Sequence, residues 1–332
     1  SIVWSKFDKL IPQGSTVFFS PDMQLHSFPL ENLPDYSEDG KLIGERWKLH
    51  RLSSTRQIAK NPQNGKKDGV EIFGGIDYSF DPGELVADYN KNVSGYRAYS
   101  DDSENLRAGI TRIKALPGSK REVAEIARVL KGNATPVSEY TGKTGTEARF
   151  KASAGKNGNV LHISTHGFFL NPSNVGGRLA NLLSLSGKQS LSYDDALTGS
   201  GLMMAGVNEV ITGKVSTDEC EDGLLTSKEI SRMDLSDIDF AVLSACETGV
   251  GAVSGEGVFG LQRGFKLAGV NSIMMSLWKV DDDATEKLMT EFYRNWVENR
   301  DSRKSLKIAQ EAVRKTPGWE HPKYWAGFIL LD

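Results

Sequence analysis

The stretch "IDFAVLSACETGVG", residues 238–251, joins a run of apolar and small residues to a cysteine and then to a glycine-rich segment. Short apolar runs of this kind, bounded by turn residues, are typical of strands buried in a parallel sheet. The run therefore predicts a buried strand over 238–246 that ends at Cys246. The glycines that follow leave the backbone free to turn close to the thiol.

Comparable segments recur along the chain and alternate with helical patterns. Further strands are predicted at 15–22, 47–54, 70–78, 158–167 and 271–280. Amphipathic helices are predicted at 119–132, 256–269, 282–299 and 302–316. This alternation predicts an α/β fold with a doubly wound, mostly parallel sheet flanked by helices. Residues 79–115 are polar and weakly periodic, which predicts a surface loop or linker.

Composition narrows the class of protein. The 332 residues carry a net charge of −3, whereas partners rich in phosphate require a basic surface, so we expect neither a nucleic-acid nor a membrane partner. No apolar run is long enough to span a bilayer, and residues 1–10 lack the pattern of a signal peptide. Two cysteines without a disulfide or zinc pattern suit a reducing compartment, so we expect a cytoplasmic location and no metal site.

His166 ends the predicted strand 158–167, as Cys246 ends the strand 238–246. In doubly wound sheets, ligands bind beyond the carboxyl ends of the strands, and if these two strands are neighbours both side chains emerge at that edge. An imidazole can take the proton of a thiol, and backbone N–H groups of Gly167 and Cys246 could form an oxyanion hole. Taken singly, a strand-end cysteine or histidine is more often a packing residue.

The segments around these two residues resemble a known family. They are "LHISTHGFF" (161–169), "SGLMMAGVN" (200–208), "DGLLTSKEI" (222–230), "VLSACETGVGAVSGEGVFGLQRGFKLAG" (242–269), "NSIMMSLWKVDDDATEKLM" (271–289), "HPKYWAGFILLD" (321–332) and, near the start, "FFSPDMQLHSFPLENLP" (18–34). Together they are similar to the CHAT peptidases, of the caspase–separase clan, and the similarity covers nearly the whole chain.

The resemblance implies a caspase-like fold in which His166 and Cys246 form a catalytic dyad that needs no cofactor. It further implies an N-terminal, pseudo-catalytic subdomain over 1–115 packed beside a catalytic subdomain over 116–332. Because family members are often attached to helical repeats or act in bacterial defence and regulated cleavage, an upstream repeat module or an activator protein is an expected partner. The spacing departs from true caspases, whose signature has glycine two places after the cysteine, whereas here Gly249 stands three places after it.

A preference for cleavage after Arg or Lys is the expectation for the substrate. Separase and related clan members bind such side chains with an acidic pocket residue, and "SLWKVDDDAT" offers Asp281, Asp282 and Asp283 beside Trp278. An aspartate would pair with a bidentate arginine, although acids at a helix start also act as caps. Some clan members carry an acid two places before the cysteine, where this chain has Ser244.

Three functions therefore stay open at this point. The first is a cysteine endopeptidase, activated by a partner or by self-cleavage in the region 171–224, where Lys188 and Lys214 are candidate cleavage points. The second is a latent scaffold of the same fold that acts through protein contacts. The third is a nucleotide-binding α/β protein, although neither "EYTGKTGT" (139–146) nor "GVGAVSGEG" (249–257) has the spacing of a phosphate-binding loop.

Overall fold

The computed structural model describes residues 3–7, 9–59, 68–92, 112–169, 197–244 and 255–332. The strands of this part of the chain are β1 (Thr16–Phe19), β2 (Lys48–Arg51), β3 (Val70–Ile76), β4 (Val137–Gly142), β5 (Val160–Ser164), β6 (Gly167–Phe169), β7 (Ser200–Met203), β8 (Leu224–Thr226), β9 (Phe240–Leu243), β10 (Ser272–Ser276) and β11 (Phe328–Leu331). Its α-helices are α1 (Ile43–Arg46), α2 (Pro82–Asn92), α3 (Pro117–Gly132), α4 (Glu147–Ser153), α5 (Val207–Ile211), α6 (Ser227–Ile230), α7 (Gly255–Leu267), α8 (Asp282–Asn299) and α9 (Ser302–Arg314).

An eight-stranded sheet organises the molecule, in the order β1-β2-β11-β10-β9-β5-β3-β4. Every neighbouring pair in it is parallel except β10 and β11, which are antiparallel. The sheet therefore consists of two parallel blocks that run in opposite directions. The predicted α/β fold with a mostly parallel sheet is confirmed.

Both faces of the sheet are covered, as its apolar strands require. Phe240 and Val242 of β9 lie in one buried cluster with residues of α3, α8 and α9, whereas Ala241 and Leu243 lie in another with residues of α4 and α7. Successive side chains of a strand point to opposite faces, so a strand buried on both sides has no polar alternation. This explains why residues 240–243 form an unbroken apolar run.

A second, three-stranded sheet extends from the end of β5. Its order is β6-β7-β8, and both pairings are antiparallel. The sequence predicts a hairpin within 190–206, and β7 lies there, but its partners are β6 and β8. The chain thus passes from the large sheet into the small one within the two residues Thr165 and His166.

Two further parts of the sequence prediction need comment. The predicted loop over 79–115 is wrong in part, because α2 occupies Pro82–Asn92 and buries Leu85 and Tyr89, one helical turn apart. The high average polarity of that segment concealed the helix.

The division at residue 115 stays a prediction. Strands β1 and β2 border a small core of their own that includes Trp4 and Trp47, while β3 lies between β5 and β4.

No helix among the described residues is both long enough and apolar enough to cross a bilayer.

Candidate active site

His166 lies two residues beyond β5, at the carboxyl end of that strand. Its neighbour β9 runs parallel to β5, with Ile163 opposite Leu243, and the backbone N–H of Ser244 donates to the carbonyl of Ile163 at 2.8 Å. The two strands that the sequence predicts to carry the dyad are therefore adjacent, and they end at the same edge. Cys246 itself follows Ser244 by two residues and lies outside the described residues.

The imidazole of His166 has one engaged and one free nitrogen. Nε2 lies 3.0 Å from the carbonyl oxygen of Lys114. A carbonyl oxygen only accepts, so Nε2 must carry the hydrogen, and the neutral ring then has its lone pair on Nδ1. Nδ1 is buried and has no hydrogen-bond partner among the described residues. The ring therefore presents a basic nitrogen that no described group occupies.

The backbone N–H of His166 is held by the hydroxyl of Tyr78, which is in turn anchored by Thr165. The N–H of His166 donates to the hydroxyl of Tyr78 at 3.2 Å, and this hydroxyl lies 2.8 Å from Oγ1 of Thr165. Thr165 in turn donates to the carbonyl of Met203 at 2.6 Å. The ring of Tyr78 also packs beside the imidazole, with 5.2 Å between the ring centroids. Because each hydroxyl has a partner, the network is rigid and the imidazole is positioned from two sides.

The environment of His166 favours its neutral form. Burial lowers the pKa of His166 below its ordinary value of 6.5, and the charge of Lys279 acts in the same direction. The hydrogen bond to the Lys114 carbonyl and the carboxylate of Asp282 oppose this change only in part. At neutral pH the ring is therefore uncharged and able to accept a proton.

Gly167 begins β6 with its N–H directed away from β7. The N–H of Met203 donates to the carbonyl of His166 at 2.8 Å, which makes His166 and Met203 a hydrogen-bonded pair. In an antiparallel ladder such pairs alternate with non-bonded ones, so Gly167 and Leu202 form a non-bonded pair. The Gly167 N–H is thus not used by β7.

The three adjacent aspartates have different surroundings. Asp281 is the N-cap of α8, where its side chain accepts from the N–H groups of Asp283 and Ala284, both at 3.1 Å. Asp283 forms an ion pair with Arg121. Asp282 is exposed, acts electrostatically on His166 and on Arg121, and makes no hydrogen bond or ion pair with the described residues.

The other predicted pocket residues are Trp278, whose indole forms a hydrogen bond, and Ser244, which is buried. Trp278 is half-buried, donates from its indole N–H to the carbonyl of Lys323 at 3.0 Å and borders both large apolar clusters. Its packing role is therefore visible, and its pocket role stays a prediction. Ser244 is buried at the end of β9, and its hydroxyl has no hydrogen-bond partner within the described residues.

Two contributors to the site were missed at the level of sequence. Tyr78 ends the predicted strand 70–78, so its place at the carboxyl edge of the sheet was a signal that could have found it. Lys114 acts through its backbone carbonyl, and a carbonyl has no residue signature.

An acidic cluster far from His166 in sequence also has the donor types of a metal site. Oxygens of Glu147, Glu221 and Glu229 lie within 4.8 Å of one another. However, Nζ of Lys151 is 2.6, 3.0 and 2.9 Å from these three carboxylates, so an ammonium group already pairs with all of them. The acidic, turn-rich stretch "STDECEDG" (216–223) predicts an exposed, inert thiol at Cys220. The structure instead buries Cys220, and burial raises the pKa of its thiol to about 12, which leaves it inert.

Comparison with known proteins assigns the family. A family model described as the CHAT domain matches residues 2–331. The chain belongs to the CHAT domain family. CHAT domains are related to caspase-like cysteine peptidases, and this relationship agrees with the mostly parallel sheet described above.

Two curated relatives match a part of this CHAT domain. Tetratricopeptide repeat protein 28 of Mus musculus is 31% identical over 108 residues, which are 32% of this chain and 4% of that protein. Tetratricopeptide repeat protein 28 of Homo sapiens is 29% identical over 108 residues, with the same shares. The CHAT domain thus aligns with only a small part of these relatives.

Proposed function

We propose that this CHAT domain is a cysteine endopeptidase in which His166 and Cys246 act as a dyad. The observation that carries the proposal is the free, basic Nδ1 of His166 at the carboxyl end of β5, beside the strand that leads to Cys246. A lowered pKa keeps this nitrogen unprotonated at neutral pH. Membership of a family related to caspase-like peptidases supports the same reaction.

In the proposed reaction, Nδ1 takes the proton of the Cys246 thiol and the thiolate attacks the scissile carbonyl carbon. A C–S bond forms, and the oxyanion is stabilised by the N–H groups of Gly167 and Cys246. The imidazolium then gives its proton to the leaving amine as the C–N bond breaks. Water, deprotonated by the same nitrogen, finally hydrolyses the thioester and releases the thiol.

For substrate choice, we propose cleavage after Arg or Lys with Asp282 as the acidic pocket residue. Of the three aspartates, Asp281 is used as a helix cap and Asp283 is paired with Arg121. Asp282 has no hydrogen-bond or ion-pair partner in the part of the chain that the structure describes, and its carboxylate acts on the imidazole of His166. A carboxylate in that position favours a bidentate guanidinium on the substrate.

The alternative is a latent scaffold or binding module of the same fold. The similarity to proteins named for tetratricopeptide repeats supports a helical repeat module as its partner or activator. In that case the domain would bind protein substrates or partners in the cytoplasm without cleaving them. The dyad would stay inactive until an activator binds.

Turnover of fluorogenic peptides ending in Arg, Lys, Asp or Leu tests the proposal, with Cys246→Ala, His166→Ala and Asp282→Asn as variants. We expect cleavage after Arg and Lys that is abolished in the first two variants and reduced in Asp282→Asn. Cleavage after Asp or Leu alone would contradict the role of Asp282.

Alkylation of the thiols separates latency from the absence of a dyad. The Cys246→Ala variant reports the slow background of Cys220, whose thiol is buried. Fast alkylation of the unmodified chain, slowed in His166→Ala, without peptide turnover would favour the latent scaffold. Alkylation no faster than this background would contradict the dyad itself.

A further inference from the structure

Asn208 is a buried amide in a helix that contributes none of the predicted site residues. It lies in α5 and is only 2% exposed. A buried side-chain amide requires partners for its oxygen and for both of its N–H groups. The identity of these partners connects Asn208 with His166.

The first partner of Asn208 is the backbone of Ile113. The N–H of Ile113 donates to Oδ1 at 2.7 Å, and Nδ2 donates to the carbonyl of Ile113 at 2.9 Å. Holding both backbone groups of one residue fixes the planes of the two peptide units that flank it. The next residue is Lys114, whose carbonyl accepts the hydrogen bond from Nε2 of His166. Asn208 therefore holds the peptide unit that immediately precedes the one carrying this carbonyl.

The second set of partners is on the opposite side of His166. The backbone N–H of Asn208 donates to the carbonyl of Tyr78 at 3.0 Å, and Nδ2 donates to the hydroxyl of Ser79 at 2.9 Å. Tyr78 is the residue whose hydroxyl accepts from the N–H of His166. One residue thus joins the two segments that contact the histidine, and its Oδ1 and both hydrogens of its Nδ2 are engaged.

We propose that Asn208 is a positioning residue for His166, which keeps the Lys114 carbonyl on Nε2 and thereby leaves Nδ1 as the basic nitrogen. The inference rests on the proposed function in one respect, namely that Nδ1 is the nitrogen that accepts the proton of the Cys246 thiol. The alternative is that Asn208 merely satisfies buried backbone groups, in which case the state of the imidazole does not depend on it.

The tautomer of His166 distinguishes these two roles without any measurement of activity. Nitrogen-15 NMR of the imidazoles shows which nitrogen carries the hydrogen, and His166→Ala identifies the signal among the five histidines. In the unmodified chain we expect the hydrogen on Nε2. In Asn208→Ala we expect a mixture of tautomers and a lower pKa of His166, because the Lys114 carbonyl raises that pKa.

Two further variants make the experiment decisive. Asn208→Asp keeps the size and the acceptor for Ile113 but loses both Nδ2 donors, so the tautomer mixture is expected there too, even if Asn208→Ala does not fold. Thr212→Val is the matched control, because its hydroxyl bonds only to the backbone carbonyl of Asn208 on the same helix, and we expect no change. A folded Asn208→Asp with the hydrogen still wholly on Nε2, or a hydrogen on Nδ1 in the unmodified chain, would overturn the proposal. Loss of peptidase activity has no bearing on this result.

Discussion

The imidazole of His166 donates from Nε2 to the carbonyl oxygen of Lys114, 3.0 Å away and 52 positions earlier in the chain. Because of this contact the two nitrogens of the ring differ: Nε2 is hydrogen-bonded and orients the ring, whereas Nδ1 stays basic. The charges around the ring then set the pH range in which Nδ1 can act.

The pKa of His166 should respond with opposite sign to two neighbouring charges. Asp282 raises this pKa and Lys279 lowers it, so Asp282→Asn should lower it further and Lys279→Gln should raise it towards 6.5. NMR titration of the imidazole measures both changes. In an active enzyme, the acid limb of kcat/KM should move to lower pH in the first variant and to higher pH in the second. Shifts in the same direction would contradict the assigned charges.

Tyr78→Phe should lower both kcat and the free energy of unfolding, because the Tyr78 hydroxyl belongs to the hydrogen bonds that hold His166. The change removes the acceptor of the His166 N–H and a partner of Thr165, which is buried. We expect a loss of about 1–3 kcal/mol in the free energy of unfolding and a fall in kcat larger than any change in KM. Tyr140→Phe is the control, since that hydroxyl accepts only an exposed bond from Asn157. Equal effects in both variants would show that Tyr78 has no special role.

Gly118→Ala should test the position of Asp282 without changing its charge. A Cβ at Gly118 would lie 2.9 Å from Cβ of Asp282 and 3.0 Å from its Oδ2, so the aspartate must shift. We expect slower cleavage after Arg and an unchanged rate of Cys246 alkylation. Gly132→Ala, at the other end of α3, meets nothing within 4 Å and should leave both rates unchanged. Unaltered cleavage after Arg in Gly118→Ala would place the pocket elsewhere.

Lys151→Met should be strongly destabilising, because it leaves three carboxylates together without a cation. Breaking such a partly buried ion cluster costs about 3–5 kcal/mol in the free energy of unfolding. Urea denaturation measures this loss, which should shrink as the pH falls and the glutamates become protonated. Lys143→Met, which removes an exposed pair with Glu84, is expected to change stability far less, because solvent screens that pair. A small effect of Lys151→Met would mean that the cluster is hydrated.

Local patterns were sufficient for six of the eight strands of the large sheet and for the ends of β5 and β9, whereas β4 (Val137–Gly142) and β11 (Phe328–Leu331) were not predicted as strands. The apolar runs of β5 and β9 mark strands buried on two faces, and His166 is recognisable because it follows such a run. The polar average over 79–115 concealed α2, since two buried residues one turn apart, Leu85 and Tyr89, suffice to dock a short helix. Hydrophobic periodicity is visible only when several apolar residues share one face, so it does not reveal a helix that is docked by two buried side chains.

What the sequence by itself determined is the α/β fold and the residue types that can form a dyad at two strand ends. Only the tertiary structure decided that the two strands are neighbours, which nitrogen of His166 is basic and which of the three aspartates has no partner among the described residues. The identity of the basic nitrogen depends on the Lys114 carbonyl, the Tyr78 hydroxyl and the Asn208 amide, which meet their partners 52, 88 and 95 positions away. The backbone carbonyl at position 114 is common to every residue type, so its role arises only when the chain brings it to the imidazole.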